Sequence, residues 1–227
     1  MDISIMDVIG PVMIGPSSSH TAGAARLGGA ARALCGKTFN RAEFGLHGSF
    51  AKTYRGHGTD LALLAGIIGM SPEDGRIPDA FQIAAEQGLA WKFFEKQMEG
   101  VHENAVEIRL FDGEEQVLCM VGSSIGGGRI MINDLNGCRI DLSAELPAIV
   151  ISHMDRKGMI HQITSVLLDE DMNVGTLKLT RNTKGEHALS IIEVDESVDD
   201  KILERLRWIP DVLSVQAVQK MCIRDRD

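Results

Sequence analysis

Ala148-Ile149-Val150-Ile151-Ser152-His153 is a mostly apolar run, and Asp155-Arg156-Lys157-Gly158 turns the chain directly after it. How this stretch is read decides the fold of the second half of the chain. The run is short and rich in β-branched residues, as a buried strand is. Past the turn, Ile160, Ile163, Val166 and Leu167 recur at helical spacing on one face. Asn173 to Arg181 reads as a strand, Asn182-Thr183-Lys184-Gly185 as a hairpin turn, and His187 to Val194 as the returning strand. Asp199 to Arg207 carries Ile202, Leu203 and Leu206 as a second helix, and Val212 to Val218 closes the unit. The order is β-α-β-β-α-β, a ferredoxin-like arrangement.

Residues 144–147 read as a linker, which leaves residues 1–143 as a first domain. There, Val106 to Phe111 and Glu115 to Val121 alternate around Asp112-Gly113, a tight hairpin signal. Ser123-Ser124-Ile125-Gly126-Gly127-Gly128 follows. It is not a G-x-G-x-x-G fingerprint, and a strand pattern, Arg129 to Asn133, comes next, which disfavours a dinucleotide site. A flexible bend and a close backbone approach to a ligand explain the three glycines equally well. Lys37 to Leu46, Leu89 to Lys96 and Gly137 to Leu142 are further strands, while Leu61 to Gly69 is an apolar helix and Ala80 to Gln87 a short one. The expectation is a mixed α/β first domain with several antiparallel strands, and an α+β chain as a whole.

The most chemically loaded stretch of that domain is Gly15-Pro16-Ser17-Ser18-Ser19-His20-Thr21-Ala22-Gly23, ahead of a small-residue run ending near Cys35-Gly36. It reads as a loop entering a helix. Pro16 needs no backbone donor in the turn, and Ser17, Ser18 or Ser19 can cap the helix. The free N–H groups at such a helix start attract an anion, either a carboxylate or a phosphate. Capping alone accounts for one or two of the hydroxyls. Further on, His47, Ser49, Lys52, Thr53, His57 and Asp60 are polar residues read at element ends, with Thr59 or Asp60 capping the next helix. Two histidines and an aspartate invite a metal reading, but the spacing matches no ligand motif. A pocket shared with the serine loop is the better expectation.

The net charge of −9 argues against a nucleic-acid partner, which would want a basic face. No apolar run reaches the roughly 18 residues of a membrane span, and no signal-peptide pattern opens the chain. Cys35, Cys119, Cys138 and Cys222 form no C-x-x-C, so they are expected to be reduced thiols of a cytoplasmic protein rather than ligands of a metal. Residues 221–227 fit neither domain. They are suspected to be non-native, because their opening is what one frame of a common sequencing-library adapter encodes, and Cys222 is assigned no role.

Residues 148–220 resemble the ACT family of small-molecule sensing domains, through Asp155-x-x-Gly158 before the first helix and Asn173-Val174 at the second strand. That resemblance implies an amino-acid effector near Asp155, Arg156, Lys157, Gly158 and Met159, and self-association through paired domains. A structural unit that only pairs subunits is the alternative. The serine loop, His47-Gly48-Ser49-Phe50-Ala51-Lys52-Thr53 and Gly56-His57-Gly58-Thr59-Asp60 together resemble the beta chain of iron–sulfur L-serine dehydratase in its two-chain form. The first domain is also similar to the substrate-sensing domain of some phosphoglycerate dehydrogenases.

The resemblance implies a lyase of amino-acid catabolism that feeds gluconeogenesis, converting L-serine to pyruvate and ammonia. A 4Fe-4S cluster is implied on a partner alpha chain, with no metal on this chain and no activity without that partner. Ser17, Ser18, Ser19 and Thr21, with His47, Ser49, Thr53, His57 and Asp60 as a second wall, are implied substrate contacts. His20 is implied to position substrate or to carry a proton. Two readings stay open beside this one: serine held in this site as an effector, and an amino-acid-sensing regulatory subunit outside the chemistry.

Overall fold

The computed structural model describes residues 12–181 and 183–220, which fall into two compact units, 12–137 and 138–220. Residues 1–11 ahead of the serine loop, Asn182 of the hairpin turn and the 221–227 tail lie outside the described residues.

In the first unit a π-helical turn, Ser18–Gly23, runs straight into α1, Ala24–Cys35. β1 (Arg41–Leu46), α2 (Gly48–His57) and α3 (Thr59–Ile67) follow. A 3-10 turn at Ile77–Asp79 leads into α4, Ala80–Glu86. β2 (Ala90–Glu95), β3 (Ala105–Asp112), β4 (Glu115–Gly126) and β5 (Arg129–Leu135) complete the unit. Within it the sheet order is β2-β1-β3-β4-β5. β1 and β2 run parallel with Arg41 opposite Ala90, and the other neighbours are antiparallel.

β1 turns Ala42, Phe44 and Leu46 into the core and leaves Glu43 half-buried on the other face, the alternation expected of a strand covered on one side. α1 packs on the sheet over β4, with β3 and β5 to either side. Eight of its twelve residues are Ala, Gly or Cys, which lets its backbone approach closely. At its crossing with α3, a Cβ on Gly28 would lie 2.3 Å from the Leu63 carbonyl oxygen, and one on Gly66 would lie 2.0 Å from that of Ala25. Only glycine fits at either position.

Two local expectations need correction. Gly48–His57 is a helix, so Ser49, Lys52 and Thr53 lie inside an element and not at element ends. The segment has no apolar stripe to announce it, since only Gly48, Phe50 and Ala51 are buried. The cap of α3 is Gly58, at φ 67°, with no side-chain bond; Thr59 is already helical.

The second unit opens with β6 (Cys138–Leu142) and then runs β7 (Ala148–Met154), α5 (Met159–Asp169), β8 (Val174–Arg181), β9 (His187–Val194), α6 (Asp200–Arg207) and β10 (Val212–Val218). Its sheet order is β10-β7-β9-β8, antiparallel throughout, which is the ferredoxin-like order. Ile149, Ile151, Ile192 and Val194 of the sheet pack against Ile163 and Leu167 of α5 and Ile202 and Leu206 of α6. Asp199 caps α6 by accepting from the Ile202 N–H at 2.9 Å. No helix among the described residues is long and apolar enough to cross a membrane.

Candidate functional site

The serine loop folds around one histidine. Ser17 stands just ahead of the π-helical turn in extended conformation, and its Oγ accepts from the His20 N–H at 3.3 Å. The same hydroxyl lies 3.4 Å from His20 Nδ1. On the other side of the ring, Ser49 Oγ of α2 lies 3.3 Å from Nε2. A neutral imidazole has one donor and one acceptor, and hydroxyls can play either part, so both tautomers are served. His57 ends α2 and packs edge-on to His20, with ring centroids 4.7 Å apart, and Phe50 closes another side at 5.2 Å.

His20 is 8% exposed. Burial pushes its pKa below the ordinary 6.5, the neighbouring His57 adds to this, and a hydrogen bond with Ser49 works the other way. The ring is therefore neutral at neutral pH and available as a proton acceptor.

Three buried hydroxyls of this unit, Thr21 Oγ1, Thr59 Oγ1 and Ser124 Oγ, have no hydrogen-bond partner among the described residues. Buried polar atoms are seldom left unpartnered, so each of these calls for an explanation. Ser124 lies against the turn: a Cβ on Gly23 would sit 2.1 Å from its Oγ. Only the run Ser123-Ser124-Ile125-Gly126-Gly127-Gly128 hinted at this contact in the sequence, and its position beside the serine loop follows from strand order, which local pattern does not carry.

The structure thus brings Ser17, His20, Ser49 and His57 together. Ser18 and Ser19 are half-buried on the first positions of the same turn, and Thr21 is buried behind it. The rest of the expected second wall is engaged elsewhere. His47 Nδ1 accepts from the Met98 N–H at 3.1 Å, Thr53 Oγ1 donates to the Ser49 carbonyl at 2.8 Å, and Asp60 Oδ1 accepts from the Leu61 N–H at 2.9 Å. Burial raises the Asp60 pKa. A cavity of about 560 Å³ lies elsewhere in the unit, between Arg32, Lys37, Ile68 and Leu89. No histidine, cysteine or carboxylate lines it, so the histidine cluster is the stronger candidate for acid–base chemistry.

In the second unit the loop before α5 is used differently. Asp155 Oδ2 accepts from Arg181 Nη1 at 2.7 Å and from the Gly185 N–H at 2.9 Å, and these two bonds, the backbone one first, lower its pKa. Met159 is 3% exposed in the core. Arg156 lies 3.9 Å from Asp211 as an exposed pair, Lys157 is exposed, and Gly158 caps α5 at φ 88°. Of the five expected effector residues, two side chains therefore serve the fold.

An iron–sulfur cluster needs gathered thiolates. Cys35 ends α1, Cys119 lies within β4 and Cys138 starts β6, and among the described residues no three His, Cys, Asp or Glu side chains come together as metal ligands. These residues do not fit a cluster of their own.

A family model described as serine dehydratase beta chain matches residues 4–89, which include the serine loop and both histidine segments. The probable L-serine dehydratase beta chain of Bacillus subtilis is 44% identical over 215 residues, covering 95% of this chain and 97% of that one. The L-serine dehydratase beta chain of Peptoniphilus asaccharolyticus is 38% identical over 209 residues, 91% of each chain. Among solved structures, the ACT domain of a Chlorobium tepidum GTP pyrophosphokinase matches 31% of this chain and 94% of its own, at 27% identity and a TM-score of 0.27. With two relatives aligned nearly end to end, the chain belongs to the L-serine dehydratase beta-chain family.

Proposed function

We propose that this chain is the beta subunit of a cytoplasmic two-chain enzyme that converts L-serine to pyruvate and ammonia, with a partner alpha chain holding a 4Fe-4S cluster. The observation that carries the reading is the buried, neutral His20 held between the hydroxyls of Ser17 and Ser49. Around it, an amino acid finds hydroxyl donors and helix N–H groups for its carboxylate, and charge-assisted bonds of that kind are strong. The cluster on the partner supplies Lewis-acid chemistry. This chain supplies placement. Ser17, Ser18 and Ser19 grip the carboxylate, and His20 fixes the direction of the two hydroxyls that flank it. Correct alignment of this kind accounts for a large share of a lyase barrier. The neutral imidazole can also take up a proton.

The test is anaerobic co-expression with the alpha chain, scoring iron and pyruvate release from serine. Pyruvate is expected only when both chains are present, with iron following the alpha chain. Equal pyruvate release after omission of this chain, or release by this chain alone, removes the proposal.

A further inference from the structure

Arg26 is the only buried lysine or arginine among the described residues, 7% exposed on the first turn of α1. Burying a guanidinium is costly unless its donors are used. Its Nη1 donates to the Gly128 carbonyl at 2.6 Å, across a sequence separation of 102 residues. Gly128 ends the run Gly126-Gly127-Gly128, whose φ angles are 97°, 62° and 77°. Three successive residues in the left-handed region suit glycine and strain any other side chain. The run is the tip that joins β4 to β5, and the register of those strands shifts beside it, between Ser124 and Gly126.

The same hairpin meets the serine-loop helix twice. Ser124 lies against Gly23 and Gly128 accepts from Arg26, and Gly23 and Arg26 sit three and six residues beyond His20. A free tip of three glycines has more conformational freedom than any other part of a hairpin. A charge-assisted bond in a buried place takes that freedom away.

We infer that Arg26 is a positioning residue: its guanidinium holds the Gly126–Gly128 tip against α1, the helix that continues the turn carrying His20, making the tip a fixed wall of the serine-loop site. The inference rests on the reading of that site as the place where L-serine binds.

Arg26→Met and Arg26→Lys in the assembled two-chain enzyme test it. In Arg26→Met the KM for serine rises about ten-fold while kcat stays within about two-fold. Amide hydrogen exchange at residues 126–129 of the same variant quickens at least about ten-fold. Arg26→Lys keeps a cationic donor and restores part of both. Should Arg26→Met fail to fold, Gly126→Ala reports instead. A Cβ there meets nothing within 4 Å, so it strains the tip without touching Arg26, and the same rise in KM is expected. Unchanged exchange at the tip, or a KM unmoved in both Arg26→Met and Gly126→Ala, overturns the inference. Exchange is read on this chain whatever its substrate, so a wild-type enzyme that does not turn over serine marks failure of the site reading and not of the Arg26 contact.

Discussion

Each unit opens a helix with a polar loop, and the two loops are built to different ends. In the first, Ser17 caps the turn, His20 sits buried between hydroxyls, and the buried hydroxyls of Thr21 and of Ser124 beside it have no partner among the described residues. In the second, Gly158 caps α5 without a side chain, Asp155 is spent on the β8–β9 hairpin, and Met159 drops into the core. A helix start offers N–H donors in either case. What differs is whether the surrounding polar groups are already matched. In the second loop they are matched within the fold, and in the first they are not.

That difference can be broken most directly by turnover. His20→Ala is expected to lower kcat/KM for serine about 100-fold or more, in the range lost with a positioned acid–base group. Arg156→Ala leaves basal turnover within about two-fold, as an exposed pair should. Equal effects would erase the distinction between the loops. Stability sharpens it in the opposite sense. Met159→Ala is expected to cost about 2–5 kcal/mol in urea unfolding, as truncation of a buried residue does. Ser17→Ala costs about 1 kcal/mol, the worth of a cap.

The smallest effect is in pH. Because burial and His57 hold the folded His20 below 6.5, the unfolded chain takes up its proton first as pH falls. The contribution of His20 to stability is therefore complete above 6.5 and declines on acidification towards the folded-state value. The Tm advantage of the wild type over His20→Gln should shrink as the buffer is taken from about pH 8 to about pH 5. A constant difference would mean that the ring is not held neutral.

The second unit was legible almost strand by strand. Its strands are β-branched and its helices carry clear stripes at Ile163 and Leu167 and at Ile202, Leu203 and Leu206. The first unit was legible in pieces. β1, the β3–β4 hairpin and α4 follow their patterns, but α2 hides because its buried side is only Gly48, Phe50 and Ala51. The parallel pairing of β1 with β2 spans three helices, α2 to α4, so no local signal carries it. Ser17, His20, Ser49 and His57 stood out as polar residues in small-residue surroundings. That His47, Thr53 and Asp60 turn to backbone groups instead is a matter of side-chain direction, which spacing does not record. Arg26 went unnoticed because an arginine in a helix ordinarily faces water.

The crossing at Gly28 and Gly66 has a mechanical consequence. With main chain resting on main chain, no layer of side chains is left there to yield. The turn that holds His20 runs straight into α1, while His57 ends α2 and is joined to α3 through Gly58. Anything that tilts α1 must carry α3 with it.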